Sequence, residues 1–218
     1  MKPNILACFA VEEEAKPFRK IARDYSAIQI LVTGIGRNNA RKATLRAIEQ
    51  TSPETVFTCG FAGGLNPAHS SGKVLYACDE SFPYHDSLAK AGAISASFYC
   101  AERVLITADE KETARDTTQA DAVEMESGAI WEVCRESSIP CCTLRVVSDA
   151  ANETLPLDFN RTLSSDHTIN HAALAKELLK NPRRIPELIR FRRQISGCAE
   201  QLATVLARTV LPQIQSKP

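Results

Sequence analysis

The sequence predicts an α/β fold of three layers, in which helices cover both faces of a central mixed, largely parallel sheet. Short apolar runs of strand type alternate along the chain with segments of helical periodicity, which is the pattern of sheets built from strand–helix units. One of these runs, residues 139–147, is almost continuously apolar. Such a run is typical of a parallel strand that is buried on both faces. We expect a single domain over residues 1–218.

The composition excludes several functional classes. Of 218 residues, 44% are hydrophobic, which is enough for a substantial core. A formal net charge of zero and an aromatic content of 6% argue against nucleic-acid binding, which uses a basic surface and stacking platforms. No apolar run approaches the roughly 20 residues that cross a bilayer. The N-terminal stretch turns acidic too soon for a signal peptide, so we expect a cytoplasmic protein.

The eight cysteines are interpreted as reduced thiols of the core. Cys141 and Cys142 are adjacent and the others are scattered, so none has the spacing of metal ligands. Several fall in predicted strands, where a free cysteine behaves as a small hydrophobic side chain. We expect neither a metal nor a cofactor.

The first part of the chain contains two predicted strands, each followed by a helix start. Residues 5–10 form the first strand, and an acidic run follows, as a helix N-terminus prefers. Residues 28–33 form the second and lead through Gly34 and Gly36 into a helix. As a dinucleotide fingerprint this turn is weak, because Asn39 occupies the position of the third glycine.

A glycine-rich segment follows the third predicted strand, residues 55–58. We predict a loop at residues 59–67, whose glycines let a ligand approach the backbone closely. Phosphate sites normally add a lysine, an arginine or a hydroxyl, and this segment offers none before Ser70. The segment therefore suits a flat, neutral ring better than a phosphate.

Further strands are predicted at residues 73–78 and 103–107. The loop between them contains His85 and Asp86, which we interpret as a surface hydrogen bond rather than a general base. The polar residues 109–119 indicate a short helix or a mobile loop.

Carboxylates stand where two predicted strands end. Val123 and Met125 alternate with Glu124 as in a strand, and helical spacing begins at Glu126. Asp149 follows the long apolar run. Ligands bind at strand ends in open α/β sheets, because the connections there leave a crevice. We therefore predict that a chemical site combines these acids.

The chain is predicted to be mainly helical between about residue 171 and residue 211. The final helix is basic, with the residues Arg183, Arg184, Arg190, Arg192 and Arg193. They oppose an apolar row that comprises Ile185, Leu188, Ile189 and Ile195. A basic amphipathic helix rests on an anionic membrane surface in some proteins. In others it is an outer helix with a solvated face, and both interpretations stay open.

Five segments resemble, in the same order, motifs of the purine and uridine phosphorylase superfamily, and in particular its nucleosidase branch of methylthioadenosine/S-adenosylhomocysteine nucleosidases. They are Val11–Glu14, Thr33–Gly36, Gly60–Leu65, Val123–Glu126 and Arg145–Asp149. The resemblance covers nearly the whole chain, and the five motifs together are specific although each alone is modest. It implies a nucleoside phosphorylase-like fold, a small-molecule nucleoside as substrate, and a homodimer.

The resemblance implies three catalytic carboxylates. Asp149 would protonate the purine at N7, Glu126 would hold the ribose hydroxyls, and Glu14 would fix the attacking water. These roles fit the chemistry, because breaking an N-glycosidic bond builds a cation on the sugar while negative charge gathers on the departing base. Without the other motifs, we would interpret Asp149 as a helix cap.

The resemblance also implies a substrate-binding set. Arg145 would orient the carboxylate of Glu14, and Met125 would pack against sugar and base. The set is completed by Phe61, Ala62 and Gly63 in the lining of the base pocket and by Glu124 and Ser148 beside the acids.

Hydrolysis is favoured over phosphorolysis. The phosphorylase branch binds phosphate with arginines and a serine, whereas the corresponding neighbourhoods here offer Glu14, Thr58 and Phe61. A carboxylate beside the sugar repels a phosphate dianion, by roughly 1 to 4 kcal/mol for two charges about 4 Å apart. A phosphate-dependent purine nucleoside phosphorylase stays an alternative. A non-catalytic nucleoside-binding protein fits less well, because all three acids are present.

The 5′ substituent of the nucleoside has more than one candidate. Phe61 stands where the methylthioadenosine enzymes carry a serine, and Lys111 falls near their base-stacking phenylalanine. Residues 178–189 are extra, and with Gly60–Pro67 and Met125–Ser127 they resemble the hopanoid-associated members, whose proposed substrate is adenosylhopane. Such a hydrocarbon needs a wide apolar channel, and the basic final helix would then dock at the membrane surface. The alternative is a methylthioadenosine/S-adenosylhomocysteine nucleosidase.

Overall fold

One sheet of eight strands organises the protein. The computed structural model describes residues 5–79, 82–161 and 184–215. The strands are β1 (Ile5–Phe9), β2 (Ile28–Val32), β3 (Thr55–Gly64), β4 (Val74–Cys78), β5 (Ile94–Ser95), β6 (Phe98–Cys100), β7 (Ala122–Glu124) and β8 (Cys141–Asp149). The α-helices of the described residues are α1 (Glu12–Ile21), α2 (Arg37–Thr51), α3 (His85–Lys90), α4 (Ala108–Thr118), α5 (Ser127–Glu136) and α6 (Ile185–Gln215).

The sheet is mixed and largely parallel, as predicted. Its strand order is β2-β1-β3-β8-β4-β5, with β7 paired to β3 and β6 paired to β7. β1 is parallel to β2 and β3, and β3 is parallel to β8. β4 is antiparallel to β8, and β7 is antiparallel to β3. The carboxyl ends of β1, β3 and β8 therefore lie at the same end of the sheet.

Helices cover both faces of the sheet, which confirms the three predicted layers. The side chains of β1 alternate between the two faces. On one face, Ile5 and Phe9 belong to a core cluster with Phe18 of α1 and with residues of α3 and α6. On the other face, Leu6 packs in a cluster with α2 and with Ile130 of α5. Each layer of helices thus buries its own side of the same strand.

β8 is the central strand that the apolar run predicts. All nine of its residues are buried, and it lies between β3 and β4. The parallel pairing that we predicted holds on the β3 side, whereas the β4 side is antiparallel. Its charged residues are Arg145 and Asp149, both of which belong to the predicted site.

The glycine-rich segment is strand rather than loop over most of its length. β3 continues to Gly64 and stays paired with β8, so the predicted loop at residues 59–67 is wrong. The glycines serve close packing instead of a turn. A Cβ atom on Gly60 would lie 2.5 Å from Arg145 Nη1 and 2.7 Å from Glu14 Oε1. Charged side chains therefore pass directly over the strand.

Residues 103–107 do not form the predicted strand, and short strands β5 and β6 precede them instead. Thr107 is the N-cap of α4: its Oγ1 accepts a hydrogen bond from the N–H of Glu110, whose carboxylate accepts one from the N–H of Thr107. This reciprocal pair is a capping box, and the apolar residues before it gave the strand-like pattern. α3 begins at His85, inside the predicted loop.

The final helix, α6, is only partly buried. Leu202 and Leu206 are inaccessible, whereas Ile185 and Ile189 near its start are 43% and 50% exposed. The predicted helical residues 171–183, with Arg183, lie outside the described residues. Within the described parts of the chain, no helix is both long and apolar enough to cross a membrane.

Candidate active site

The predicted acids converge on one end of the sheet. Glu14 lies in the first turn of α1, directly after β1. The end of β3 carries Gly63, which is in register with Asp149 at the end of β8. Glu124 ends β7, and Glu126 is the N-cap of α5. Three segments that are distant in sequence thus bring carboxylates to one region: the start of α1, the junction of β7 and α5, and the end of β8.

Glu14 is held by backbone N–H groups. Its Oε2 atom accepts hydrogen bonds from the N–H groups of Ala10 and Val11, at 2.9 and 3.2 Å, and its Oε1 atom accepts one from Phe61, at 2.8 Å. The side chain therefore closes the start of its own helix and also fastens α1 to β3. Burial raises the pKa of Glu14, although Arg145 and these hydrogen bonds act in the opposite direction.

Arg145 is the cation of a buried carboxylate cluster, which we define as Glu14, Glu124 and Glu126. Its Nη2 atom lies 2.5 Å from Glu124 Oε2 and 3.4 Å from Glu126 Oε2, and the Arg145 side chain is 1% exposed. It also donates to Thr58 Oγ1, at 3.2 Å. With one arginine for three carboxylates, the fully ionised cluster would be negative.

The predicted role of Arg145 needs correction. We expected its guanidinium to orient Glu14, but it bonds to Glu124 and Glu126, while backbone groups hold Glu14. Arg145 acts on Glu14 through its charge, which lowers the pKa of that carboxyl against the effect of burial. The Arg145 side chain is 1% exposed, and its place in the substrate-binding set stays a prediction.

Glu124 caps the start of α5. Its Oε2 atom accepts hydrogen bonds from the N–H groups of Glu126 and Ser127, at 3.0 and 2.7 Å, and its Oε1 atom accepts one from Ser127 Oγ, at 2.6 Å. These bonds satisfy N–H groups that have no partner within a helix. With these bonds and the ion pair with Arg145, both carboxylate oxygens of Glu124 have protein partners. A substrate contact of Glu124 stays a prediction.

Glu126 keeps bonding capacity for a ligand. Its Oε1 atom accepts a hydrogen bond of 2.9 Å from the N–H of Gly36, and Oε2 has the long contact with Arg145. Burial raises the pKa of Glu126 to about 7, and the charge of Glu124 acts in the same direction while Arg145 opposes it. Each oxygen has a further lone pair that can accept from a hydroxyl.

Asp149 lies at the other end of the site and is 5% exposed. Its Oδ2 atom is 2.5 Å from Lys111 Nζ, and its Oδ1 atom is 2.5 Å from Ser148 Oγ. Ser148 Oγ is also 3.2 Å from the carbonyl oxygen of Ala62. Burial raises the pKa of Asp149, although Lys111 and Ser148 both lower it. Ser148 therefore contacts the predicted acid rather than being placed to bind substrate on its own.

Lys111 is the site residue whose role sequence reasoning missed. Its side chain is fully buried, and its Nζ atom donates to Asp149 Oδ2 and to the carbonyl oxygens of Ala150 and Glu153, at 2.8 and 2.7 Å. The available signal was its place on α4 three residues before Ala114, which packs into the core. A lysine on the buried side of a helix indicates an unseen charged partner.

The residues predicted to line the base pocket differ in solvent exposure. Phe61 and Met125 are partly exposed, whereas Ala62 is 3% exposed. A Cβ atom on Gly63 would lie 3.1 Å from Val123 and 3.5 Å from Asp149 Oδ2. Glycine at this position therefore leaves the space in which the Asp149 carboxylate sits.

Glu14 and Asp149 approach β3 at positions three residues apart. Glu14 lies over Gly60 and Asp149 lies beside Gly63, and three residues of extended strand span roughly 10 Å. A register shift between Ala62 and Gly63 interrupts the pairing with β8, and such bulges re-aim side chains near active sites.

Comparison with known families identifies the superfamily of the chain. The family model described as Phosphorylase superfamily matches residues 18–97 and 92–180. The chain belongs to the phosphorylase superfamily. The resemblance seen in the sequence motifs is thereby confirmed at the level of the superfamily.

Two curated relatives of this chain are named as nucleosidases. The 5'-methylthioadenosine/S-adenosylhomocysteine nucleosidase of Anoxybacillus flavithermus is 26% identical over 64% of this chain and 75% of the relative. The aminodeoxyfutalosine nucleosidase of Campylobacter jejuni is 26% identical over 73% of this chain and 90% of the relative.

Solved structures confirm the phosphorylase-superfamily fold. The futalosine hydrolase of Helicobacter pylori superposes with a TM-score of 0.70, at 16% identity, over 97% of this chain and 99% of that one. A mutant methylthioadenosine nucleosidase of Helicobacter pylori, with 5'-methylthioadenosine in its active site, gives a TM-score of 0.71 at 17% identity over 97% and 100% of the chains.

Two cavities border the site of this superfamily member. The larger, of about 540 Å³, is a groove between α1 and α6 that reaches the side chain of Phe61. The smaller, of about 270 Å³, contains Asp149 and is bounded by residues of α6, including Gln194. The final helix therefore walls both cavities. The smaller cavity contains the predicted acid, Asp149, so we assign the departing base to it.

Proposed function

We propose that this protein hydrolyses the N-glycosidic bond of an adenine nucleoside that carries a substituent at the ribose 5′ position, and releases adenine. The observation that carries the proposal is the placement of a buried acid, Asp149, at one end of the site and a buried carboxylate cluster around Arg145 at the other. Such opposed groups suit a bond whose cleavage makes one side negative and the other positive. The names of both curated relatives support the same reaction class.

At the base end, the proposed acid is Asp149. As the glycosidic bond breaks, its electron pair moves onto the purine, and protonation at N7 makes that base a better leaving group. A carboxylic acid serves this step near neutral pH when burial disfavours its ionised form. The raised pKa of Asp149 is of this kind.

At the sugar end, Glu126 and Glu14 are the proposed groups. Glu126 would accept hydrogen bonds from the ribose hydroxyls, with Met125 packed against the sugar, and its charge would stabilise the cation that develops on the ribose. Glu14 would accept a proton from the attacking water as the new carbon–oxygen bond forms. Water thus supplies a hydroxyl to the sugar, while the proton that leaves with adenine comes from Asp149.

Water is favoured over phosphate as the nucleophile because of the charges at this end. Arg145 is already engaged by Glu124 and Glu126, so it is not left to bind a phosphate dianion. Each carboxylate about 4 Å from such a dianion would add a repulsion of roughly 1 to 4 kcal/mol per pair of unit charges. The resemblance to nucleosidases rather than phosphorylases supports the same choice.

For the 5′ substituent we propose a long apolar group, with adenosylhopane as the specific candidate. The groove between α1 and α6 supports it, because its lining includes the apolar residues Pro17, Ile21, Ile195 and Ala199 as well as Phe61. The rest of the lining is largely charged or polar and includes Glu13, Lys16, Lys20, Arg192 and Glu200. Phe61 is bonded through its N–H to Glu14, so the groove begins beside the proposed sugar site. Methylthioadenosine or S-adenosylhomocysteine, named for one relative, is the competing substrate.

A lipid-like substrate would require access to a membrane surface, and we propose that α6 provides it. Its exposed Ile185 and Ile189 lie in the same segment as exposed arginines, among them Arg190 and Arg193. The expected result is co-sedimentation with vesicles rich in anionic lipid, which Ile189→Glu weakens. Ile94→Glu, at an exposed position of β5, is the matched control and should leave it unchanged.

We propose two further properties, a homodimer and a cytoplasmic location. A homodimer follows from the resemblance alone, and light scattering at several concentrations tests it. We propose a cytoplasmic location, which is supported by the free thiols of all eight cysteines, since disulfides are rare in that compartment.

The function is tested by a substrate panel. Adenosine, methylthioadenosine, S-adenosylhomocysteine, 5′-alkyl adenosines of increasing length and adenosylhopane are incubated with the protein, with and without phosphate. Free adenine is measured by chromatography and the sugar product by mass spectrometry. We expect adenine and the free sugar without phosphate, with the highest kcat/KM for the longest apolar substituents. Phosphate-dependent release of a sugar 1-phosphate would contradict hydrolysis, and a preference for methylthioadenosine would reject only the long substituent.

A further inference from the structure

Lys111 and Asp149 form a buried ion pair that none of the roles described above uses. The Lys111 side chain is 0% exposed and that of Asp149 is 6% exposed. We propose that Lys111 is a positioning residue, which fixes Asp149 through one of its two oxygens and whose charge sets the pH range in which Asp149 acts as the acid. The inference rests on the proposed function, because it assigns a partner to the proposed acid.

The burial of Lys111 calls for an explanation beyond packing. Removing an ammonium and a carboxylate from water costs several kcal/mol for each ion, and apolar residues of similar volume are often as stable or more stable in the place of such a pair. A methionine on α4 would avoid the cost of burying the ammonium only if residue 149 also lost its charge, because it would leave the Asp149 carboxylate without its partner. Retaining a charge at this position is therefore more consistent with an effect on Asp149 than with the docking of α4.

The geometry separates a positioning role from a catalytic one. An ammonium has three hydrogen-bond donors, and Lys111 uses three acceptors: Asp149 Oδ2 and the carbonyl oxygens of Ala150 and Glu153. No donor is left for a substrate. The two carbonyls lie in the turn after β8, so the ammonium also fastens that turn to the acid.

The two oxygens of Asp149 consequently have different tasks. Oδ2 faces Lys111, so Oδ1 is the atom that carries the transferable proton. Ser148 Oγ lies 2.5 Å from Oδ1 and 3.2 Å from the carbonyl oxygen of Ala62. While Oδ1 is protonated, the Ser148 hydroxyl can donate to Ala62. When the O–H bond breaks and the proton passes to the base, that hydroxyl turns to Oδ1 and stabilises the new carboxylate.

Other charged groups around Asp149 do not replace Lys111. Glu153, in the turn after β8, disfavours a carboxylate at residue 149. From α6, the Cys198 thiol faces the same carboxyl, and the cavity that contains Asp149 is also lined by Glu187 and Arg190. Among these groups of the described residues, Lys111 is the cation in hydrogen-bond contact with Asp149. Its removal should therefore favour the protonated acid.

The test follows the Asp149 carboxyl carbon by NMR as pH is varied, with the signal assigned by its loss in Asp149→Asn. We compare the unaltered protein with Lys111→Met, which keeps the length of the side chain and removes the charge. Loss of an opposite charge at this range raises a carboxyl pKa by about 1 to 3 units. We expect the titration midpoint to rise by that amount. Superimposable titration curves would overturn the proposal.

The matched control is Arg115→Met. Arg115 lies one turn further along α4, and its Nη1 atom is 3.1 Å from Asp121 Oδ1, outside the site. This variant removes an ion pair from the same helix and should leave the Asp149 midpoint unchanged. An equal shift in both variants would show that any loosening of α4 moves the midpoint, and would contradict a specific role of Lys111.

Kinetics give a second readout. The pH dependence of kcat/KM reports the ionisation of the free enzyme, so its basic limb should move upward in Lys111→Met with the NMR midpoint. A lower rate with an unmoved limb would indicate a purely structural lysine. The NMR titration needs no turnover. A protein that cleaves no nucleoside would therefore refute the proposed function, while the titration would still show whether Lys111 controls the ionisation of Asp149.

If Lys111→Met does not fold, the unaltered protein still decides the question. The nitrogen resonance of the Lys111 ammonium should shift with the same midpoint as the Asp149 carboxyl, and this inflection should vanish in Asp149→Asn. A Lys111 resonance that is insensitive to the state of Asp149 would overturn the proposal.

Discussion

The carboxylate of Glu14 accepts a hydrogen bond of 2.8 Å from the backbone N–H of Phe61, 47 residues further along the chain. This bond joins the first turn of α1 to the middle of β3. The same carboxylate closes the start of α1 through Ala10 and Val11. The proposed water-binding group is therefore fixed before any substrate arrives, which is the arrangement that efficient catalysis requires.

Glu14→Gln is expected to lower kcat by about 10² to 10⁴-fold while the affinity for adenine is kept, because the amide cannot accept a proton from water. One backbone N–H also loses its acceptor, which should cost about 1 to 3 kcal/mol of unfolding free energy. Single-turnover adenine release and calorimetric adenine binding are the measurements. Glu12→Gln, at an exposed position of the same helix turn that does not line the groove, is the control. Undiminished turnover in Glu14→Gln would remove this residue from the mechanism.

Gly60→Ala is expected to disrupt the carboxylate cluster. Its φ is +153°, and a Cβ atom there would lie 2.5 Å from Arg145 Nη1. The control is Gly92→Ala, where φ is +96° and no atom lies within 4 Å, so that variant reports backbone strain without a clash. Strain at such a position costs more than about 1 kcal/mol. Denaturant unfolding should show a larger loss for Gly60→Ala, accompanied by loss of activity, and equal losses would argue against the clash.

Glu126 should make stability depend on pH. Its pKa is raised from 4.5 to about 7 in the folded protein, so the folded state binds more protons than the unfolded state between these values. The unfolding free energy contributed by this group is fully present below about pH 4.5 and is lost as pH rises through 7. Glu126→Gln should therefore flatten the curve of unfolding free energy between pH 5 and pH 8. Parallel curves for the two proteins would contradict the raised pKa.

Glu124 and Glu132 allow a buried ion pair to be compared with an exposed one. Glu124→Gln breaks a pair with Arg145 whose side chains are 0% and 1% exposed, which typically costs about 3 to 5 kcal/mol. Glu132→Gln breaks the pair with Arg37, whose side chains are 42% and 45% exposed, and should cost less than about 1 kcal/mol. Urea unfolding measures both. Similar small losses would mean that Arg145 does not depend on Glu124.

Much of the fold could be predicted because the apolar pattern of a short segment specifies each strand or helix. The run at residues 139–147 and the helical spacing after Glu126 each specify one element, and β8 and α5 follow them closely. The segment after residue 58 could not be predicted in this way. Gly60 lies against Glu14 and Arg145, and Gly63 lies against Val123 and Asp149, all of which come from distant parts of the chain. The same residues elsewhere would form a turn.

The site likewise has features that the sequence predicts and features that depend on distant parts of the chain. The motifs brought Asp149, Glu14 and Glu126 to one end of the sheet, but they did not show what holds each carboxylate. The resemblance placed Glu124 in the substrate-binding set, and only the structure shows that its bonds to Ser127 and Arg145 make it a helix cap. Lys111 lies on a polar helix, and its contact with the acid depends on tertiary packing.

The central claim is that Asp149 protonates the departing purine, and Asp149→Asn tests it most directly. The amide occupies nearly the same volume but cannot give up a proton, and such losses typically cost about 10² to 10⁴-fold in rate. Asp86→Asn, at a side chain that is 90% exposed, is the control. Adenine release should fall by at least about 10²-fold in Asp149→Asn, with unchanged circular dichroism, and stay normal in the control. Release at the unaltered rate from Asp149→Asn would contradict the account.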